Sequence, residues 1–302
     1  MHPDLLAGTG IGIVLPAYGV MIALGYLAAL SVAGREAPRV GLDRGAVIDL
    51  MFWLMMAAIV GSRLAFLAVR WEFFYDLCFD PQDALPSIPC TPLGACPDLQ
   101  VCDAGTCATV RNCTAALELW RGGFVFYGGV AAAALVLWRF SLRHRAGFGL
   151  LSDTLVPSVA LAHVFGRIGC YLAGCCYGCR TDLPWGVTFP PGSEAWLLGG
   201  PIHPTQLYEA AVELLLFGLL LRVRANKRFH GEVLAAWVAL YATARFLIEL
   251  LRGDAQRGHW GPLSTSQWVA LAALVGAGVV WWAGRASAGA SGPLARGSSA
   301  RR

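Results

Sequence analysis

Long apolar runs dominate the chain, at about residues 16–33, 47–69, 121–139, 152–173, 206–221, 231–251 and 264–283. Most approach the twenty or so residues that a helix needs to cross a hydrocarbon layer about 30 Å thick. The pattern therefore predicts an all-α fold, a polytopic membrane protein of about seven transmembrane helices. Residues 1–284 read as one transmembrane domain, interrupted only by the long polar segment 70–120. The tail 285–302, rich in Gly, Ser, Ala and Arg, has too little apolar surface to bury and reads as disordered and cytoplasmic.

Composition agrees: 57% of residues are hydrophobic, 14% are charged and the mean hydropathy is +0.57, outside the soluble globular range. No basic tract is long enough for a nucleic-acid surface, so no nucleic-acid partner is expected. The start, MHPDLLAGTGIGIVLP, has neither a basic leader nor a small-residue cleavage site, and the first span reads as retained. Gly8, Gly10 and Gly12 mimic part of a dinucleotide fingerprint, but no strand precedes them and loop glycine is the better reading. Of the 23 Lys and Arg residues, fourteen fall in the connections after spans one, three and five and in the tail, against six in the N-terminus and the remaining connections. The positive-inside rule then places the N-terminus outside and the C-terminus in the cytoplasm.

On that topology the segment 70–120 is an extracytoplasmic, Cys-rich loop. It holds Cys78, Cys90, Cys96, Cys102, Cys107 and Cys113, which allow up to three disulfides in any of fifteen connectivities. A metal site is the rival, but the segment has no histidine and no paired C-x-x-C knuckles, so disulfides are preferred.

Charge inside the apolar runs is the candidate chemistry. His163, Arg167 and Cys170 lie at i, i+4 and i+7, on one helical face. An arginine at membrane depth costs roughly 2.5–3.5 kcal/mol on the lenient insertion scale and asks for a partner or a ligand. Arg63 interrupts the second run. Tyr241, Arg245, Glu249 and Arg252 form a stripe in the sixth, where Arg245 and Glu249 can pair with each other. HPTQLYE, His203 to Glu209, leads into the fifth run and sets Gln206, Glu209 and Glu213 on one face. Arginines on separate helices with acidic and phenolic partners predict a buried polar cavity, and the planar guanidinium suits a phosphate. In a membrane the abundant phosphate is a lipid headgroup.

The residues Tyr18-Gly19, Arg63, R-G-G followed by F-Y-G-G at Arg121 to Gly129, GRIG at Gly166 to Gly169, HPTQLYE and Y-x-x-x-R-F-x-x-E-x-x-R from Tyr241 to Arg252 resemble the prolipoprotein diacylglyceryl transferase family. The likeness runs from the first span to the seventh, and only the Cys-rich loop has no counterpart. The resemblance implies a multi-pass enzyme of the bacterial inner membrane, N-terminus out. Such an enzyme moves the diacylglyceryl group of phosphatidylglycerol to the lipobox cysteine thiol of a preprolipoprotein and releases glycerol phosphate, with no cofactor and no metal. It further implies that Arg167 and Arg245 hold the phosphate, that Glu249 orients them, and that Tyr127 stands at the thiol-activating position, where the family has histidine. Tyr18 and Tyr241 would line the headgroup site, with Arg63, Gly169, Cys170, His203, Gln206, Glu209 and Arg252 as further substrate-binding positions.

Cys170 and Cys175 replace the asparagine and glutamate of the family's GRxGNFxNGE. For Cys170, Cys175, Cys176 and Cys179 three readings stand: disulfides bracing the outer end of the fourth span, a C-x-x-C redox pair at Cys176 and Cys179, or a zinc site or thiol serving the transfer. Two other functions remain beside the transferase, a membrane thiol–disulfide protein using the CCxxC cluster and a non-catalytic phospholipid-binding relative.

Overall fold

The computed structural model describes residues 17–85, 87–89, 96, 99–103, 106–118, 123–191, 193–254 and 258–291. The glycines at 8, 10 and 12, Cys90, Arg121 and the tail beyond residue 291 lie outside them. Each predicted apolar run holds a long helix: α1 Ala17–Glu36, α2 Arg44–Val69, α5 Phe126–Arg143, α6 Phe148–Ala173, α7 Thr205–Ala225, α8 Glu232–Glu249 and α9 Thr265–Ser291. Two short helices, α3 Trp71–Phe79 and α4 Pro81–Ala84, follow α2. Among the described residues, α1, α2, α6 and α9 are long and apolar enough to cross a membrane. In contrast, α7 carries Glu209, Glu213, Arg222 and Arg224, and α8 carries Glu232, Arg245 and Glu249. Large apolar side chains such as Leu27, Trp53, Leu64, Leu215 and Trp282 face outward, as a lipid solvent requires.

The helix α9 continues through Ser291, past the position where the sequence reading ends the transmembrane domain. Its last turns are rich in alanine, a strong helix former, and Arg285 lies over the Trp281 ring at 5.6 Å, one turn back.

The chain divides into two compact units, one formed by Met1–Ile48 with Ser141–Arg302 and the other by Asp49–Phe140. In the first, α6 packs against α1, α7 and α8, α7 against α8, and α8 against α9. Its apolar core joins Val156 and Ala160 of α6, Leu216 and Leu220 of α7, and Val233 of α8. A Cβ on Gly169 would meet Tyr18 Cδ2 at 3.1 Å and Met21 Cβ at 3.2 Å, so this glycine sets the close crossing of α1 and α6.

At the start of α6 the fully buried Asp153 caps α8 from another helix. It accepts the amides of Gly231, Val233 and Leu234 at 2.9, 3.0 and 3.2 Å, and the Lys227 ammonium at 2.9 Å. The first N–H groups of a helix have no internal acceptor, and a carboxylate there also meets the positive end of the dipole. Nearby, Glu36 at the end of α1 pairs with Arg39 and Arg224. At the opposite end of α6, residues 174–204 form a small folded cap around Tyr177, Phe189, Ala195 and Ile202. A two-stranded hairpin, His259–Trp260 with Leu263–Ser264, leads into α9.

In the second unit α2 and α5 touch at Gly61 and Gly128, where a Cβ on Gly128 would lie 2.5 Å from the Gly61 carbonyl oxygen. Between them a three-stranded antiparallel sheet, Ile88–Pro89 beside Thr106–Thr109 beside Gln100–Asp103, is stapled by disulfides. Two of the fifteen-way possibilities are resolved as Cys78–Cys113 and Cys96–Cys107, and Cys102 is also disulfide-bonded.

Removal of the Asp153 carboxylate strands three buried amides and an ammonium. Asp153→Ala is expected to destabilise the first unit by about 3–5 kcal/mol, as when one partner of a buried ion pair is lost. Asp153→Asn, which keeps an acceptor oxygen, should lose less. Thermal unfolding of both variants in detergent measures the difference.

Candidate active site

The charges that the sequence places inside α6, α7 and α8 converge on one carboxylate. Glu209, 1% exposed, sits on the first turns of α7, started by Thr205 after Pro204. Its Oε2 pairs with Arg167 Nε of α6, and its Oε1 lies 3.0 Å from Arg245 Nη1 of α8. Arg245 Nη2 also pairs with Glu249 Oε2 at 2.9 Å, one helical turn on. Glu249 in turn accepts the Ser264 hydroxyl at 2.8 Å, tying α8 to the residue just before α9. Glu249 was expected to orient the arginines; it does so for Arg245, while Glu209 bridges both.

A second chain of contacts runs deeper. His163 Nδ1 lies 2.7 Å from Glu213 Oε1, Trp237 donates to Glu213 Oε2 at 3.1 Å, and Arg167 Nε donates to His163 Nε2 at 3.1 Å. Tyr241 stacks on Trp237 and meets the His163 ring edge-on, and its hydroxyl is hydrogen-bonded by Arg167. The sequence set His163 beside Arg167 and Glu213 beside Glu209; that the two pairs meet needs the α6–α7 contact.

The cluster is rich in charge but short of hydrogen bonds. Gln206 Oε1, both Glu209 oxygens, Arg245 Nη1 and Arg252 Nη1 are buried without a well-directed hydrogen-bond partner. Arg252 Nη1 has no acceptor and Arg245 Nη1 has only its ion pair with Glu209, so both are donors that an anionic ligand's oxygens would satisfy. Arg252 and Glu249 also line a recess of ≈ 260 Å³ with Asp254, His259, Ser264 and Gln267. Burial opposes the Arg252 charge, but bidentate bonds to Asp254 at 2.9 and 2.7 Å outweigh it and raise the pKa.

The cysteine end of α6 closes over this cluster. Gly174, in the left-handed conformation with φ 71°, ends the helix and turns the chain back. Gln206 Nε2 then holds the Cys175 carbonyl at 2.6 Å, and Thr205 Oγ1 holds that of Cys176 at 3.0 Å. His203, beside them, faces the Tyr208 hydroxyl at 3.3 Å. Of the three readings for this end, disulfide bracing is not the one the structure adopts: Cys170, Cys175, Cys176 and Cys179 are free thiols. The reason is local, since the turn at Gly174 directs Cys175 Sγ to the Cys170 carbonyl oxygen at 3.7 Å. The Sγ atoms of Cys170, Cys175 and Cys176 lie within 4.8 Å of one another. Contacts with the Cys170 and Cys175 thiols hold the Cys176 pKa below its ordinary value, aided by the charges of Arg252 and Arg167. Cys179 stands apart, its backbone paired with Leu251 and His203. Tyr18 of α1 abuts the group through Gly169.

Two expected site residues belong to the second unit. Tyr127, on the first turn of α5, is 53% exposed. Arg63, a substrate-binding position by the resemblance, is engaged by the protein's own backbone. Its guanidinium donates to the carbonyls of Ala115, Ala116, Glu118 and Gly123 at 2.9–3.3 Å, and is faced by Phe66, Phe74 and Phe124. It holds the two sides of the stapled loop together at the end of α2.

The family model described as prolipoprotein diacylglyceryl transferase matches residues 8–283. A phosphatidylglycerol–prolipoprotein diacylglyceryl transferase 2 of Clostridium perfringens is 30% identical over 273 residues, covering 90% of this chain and 92% of the relative. The Clostridium tetani enzyme is 31% identical, covering 87% and 91%, and that of Geobacter sulfurreducens is 32% identical, covering 83% of each. With four helices fit to cross a membrane and a buried arginine–carboxylate cluster on the matching motifs, the chain belongs to the prolipoprotein diacylglyceryl transferase family.

Proposed function

We propose that this protein transfers the diacylglyceryl group of phosphatidylglycerol to the cysteine thiol of a prolipoprotein. The observation that carries the reading is the sharing of Glu209 by Arg167 and Arg245, with Arg252 Nη1 buried without a partner and Arg245 Nη1 held only by its ion pair, donors that an anion's oxygens can reach. The phosphate diester would take those donors. Thioether formation breaks the bond between the diacylglyceryl carbon and the phosphate oxygen, and the electron pair leaves with glycerol phosphate. Charge grows on that oxygen in the transition state, where fixed guanidinium dipoles stabilise it most. Glu209 and Glu249 keep both arginines in place before the lipid arrives, so little reorganisation is needed. Tyr18, Tyr241, His203, Gln206 and Arg252 form the walls toward the headgroup, and Tyr127 meets the acceptor as a hydrogen-bond donor, a reading its place in the family motif supports.

All seven long helices cross the bacterial inner membrane in this reading. The end of the first unit that carries Arg35, Arg39, Arg44, Arg222, Arg224, Lys227 and Arg228 faces the cytoplasm, as the charge bias favours. The cysteine end and the disulfide-stapled loop then face outward, where disulfides persist.

The purified protein in phosphatidylglycerol micelles is expected to modify a lipobox peptide. Arg167→Ala and Arg245→Ala should each lower the rate about 10²–10³-fold, the loss typical of a donor to a developing oxyanion. Glu209→Gln, which keeps shape but not charge, should also slow the reaction while the variant still binds lipid. Lipid binding without turnover in the unsubstituted protein refutes the transferase reading.

Tyr127→Phe deletes only a hydroxyl. If that hydroxyl meets the acceptor, the peptide KM or the rate changes and Tyr127→His retains activity; equal kinetics in Tyr127→Phe remove Tyr127 from the site.

For orientation, alkaline phosphatase fused after residue 302 is expected to be inactive, and the same reporter inserted in the loop near residue 110 active. The reverse pattern inverts the topology.

A further inference from the structure

Three thiols meeting at one point are an unusual use of cysteine in a site that the proposed reaction does not require to have a nucleophile of its own. Cys170 comes from the last turn of α6, and Cys175 and Cys176 from the turn that folds back on it. Their sulfurs all lie within 4.8 Å of one another, and all are partly buried and unbridged. The backbone is built to hold them so. Cys176 has φ 60°, a left-handed conformation that costs a residue with a side chain about 1–3 kcal/mol, and hydrogen bonds from Gln206 and Thr205 to the Cys175 and Cys176 carbonyls fix the turn.

We propose that Cys170, Cys175 and Cys176 form a three-thiolate site for a zinc ion, whose fourth position lies beside Arg167 and Arg252. Tetrahedral zinc with bonds of about 2.3 Å places sulfurs about 3.8 Å apart, so closure from the observed spacing takes less than about 1 Å of side-chain rotation. The donor set is soft, with no carboxylate or imidazole in the group. Three thiolates on a divalent ion leave one negative charge, and the cations Arg252 and Arg167 lie near Cys176 to balance it. Metal binding releases the thiol protons to water.

Three protein ligands leave the open fourth position that distinguishes a catalytic from a structural zinc site. Its occupant is the acceptor thiol, which loses its proton to water as it binds and attacks as a zinc-held thiolate. The sulfur–carbon bond forms, the carbon–oxygen bond to phosphate breaks, and the zinc returns to three thiolates. This second step rests on the transferase reading; the metal site does not.

The test uses the full-length protein purified in detergent with its thiols reduced, with no lipid or peptide, and measures metal by mass spectrometry and cobalt(II) substitution by absorption. About one zinc per chain and intense sulfur-to-cobalt charge-transfer bands are expected. Both should be lost in Cys176→Ser and in Cys170→Ser, and kept in Cys179→Ser. A reduced, folded protein that takes up neither zinc nor cobalt overturns the site, as does retention of both in the two ligand variants. Circular dichroism separates loss of metal from loss of fold. Chelator-stripped protein should then bind phosphatidylglycerol but lose transfer to the peptide, with recovery on zinc addition. Unchanged transfer after stripping overturns the thiol-activating step and leaves zinc a structural role. Zinc binding in a protein with no transferase activity under any condition refutes the function while the metal site stands.

Discussion

A carboxylate shared by two guanidiniums is the constraint on which the first unit depends. Glu209 is almost fully removed from solvent, and an ionised carboxylate so placed is tolerable only when paired. Arg167 and Arg245 supply that pairing from α6 and α8, so three helices are held in register by one side chain on α7. Replacing such a cluster with apolar residues often costs no stability, whereas breaking it does. Its presence in a membrane protein that has abundant leucine to spend is therefore a matter of chemistry more than of folding. The same start of α7 that carries Glu209 also carries Thr205 and Gln206, whose side chains grip the cysteine turn. The arginine cluster and the thiol cluster are thus positioned by the same helical turn.

The fold was largely legible because a bilayer imposes a single strong period. Seven apolar runs became seven long helices, with ends shifted by a few residues; α6, for example, starts at Phe148, ahead of the run at 152, with Gly147 at its N-cap. Asp153, inside that run, is the buried carboxylate that caps α8, a partner helical spacing does not reveal. The start of α7 at Thr205 after Pro204 followed local rules and was readable.

The site was readable as a list of residues but not as a set of partners. Helical spacing predicted that Arg245 reaches Glu249, and it does. Spacing within α7 put Gln206, Glu209 and Glu213 together, and all three are buried. Which helix they face is a tertiary fact, so the bridging role of Glu209 and the His163–Glu213–Trp237 chain needed the structure. Arg63 makes the same point from another side: its partners are backbone carbonyls of a neighbouring loop, which helical spacing does not reveal. Among the cysteines, sequence identified the disulfide loop but left the second group with three readings, because a count of thiols says nothing about the turn that aims them.

Arg167 has a consequence for how the chain is made. It lies in α6, which is apolar enough to cross a membrane, and its neutralising carboxylate is on α7, some forty residues later. Until α7 is synthesised, α6 carries an unpaired charge that lipid disfavours by roughly 2.5–3.5 kcal/mol. Burial of Arg167 in lipid therefore becomes favourable only once α7 supplies Glu209, across a connector, residues 174–204, that folds on its own small core. A protein that keeps paired charges at membrane depth makes the order of its own biogenesis part of its design.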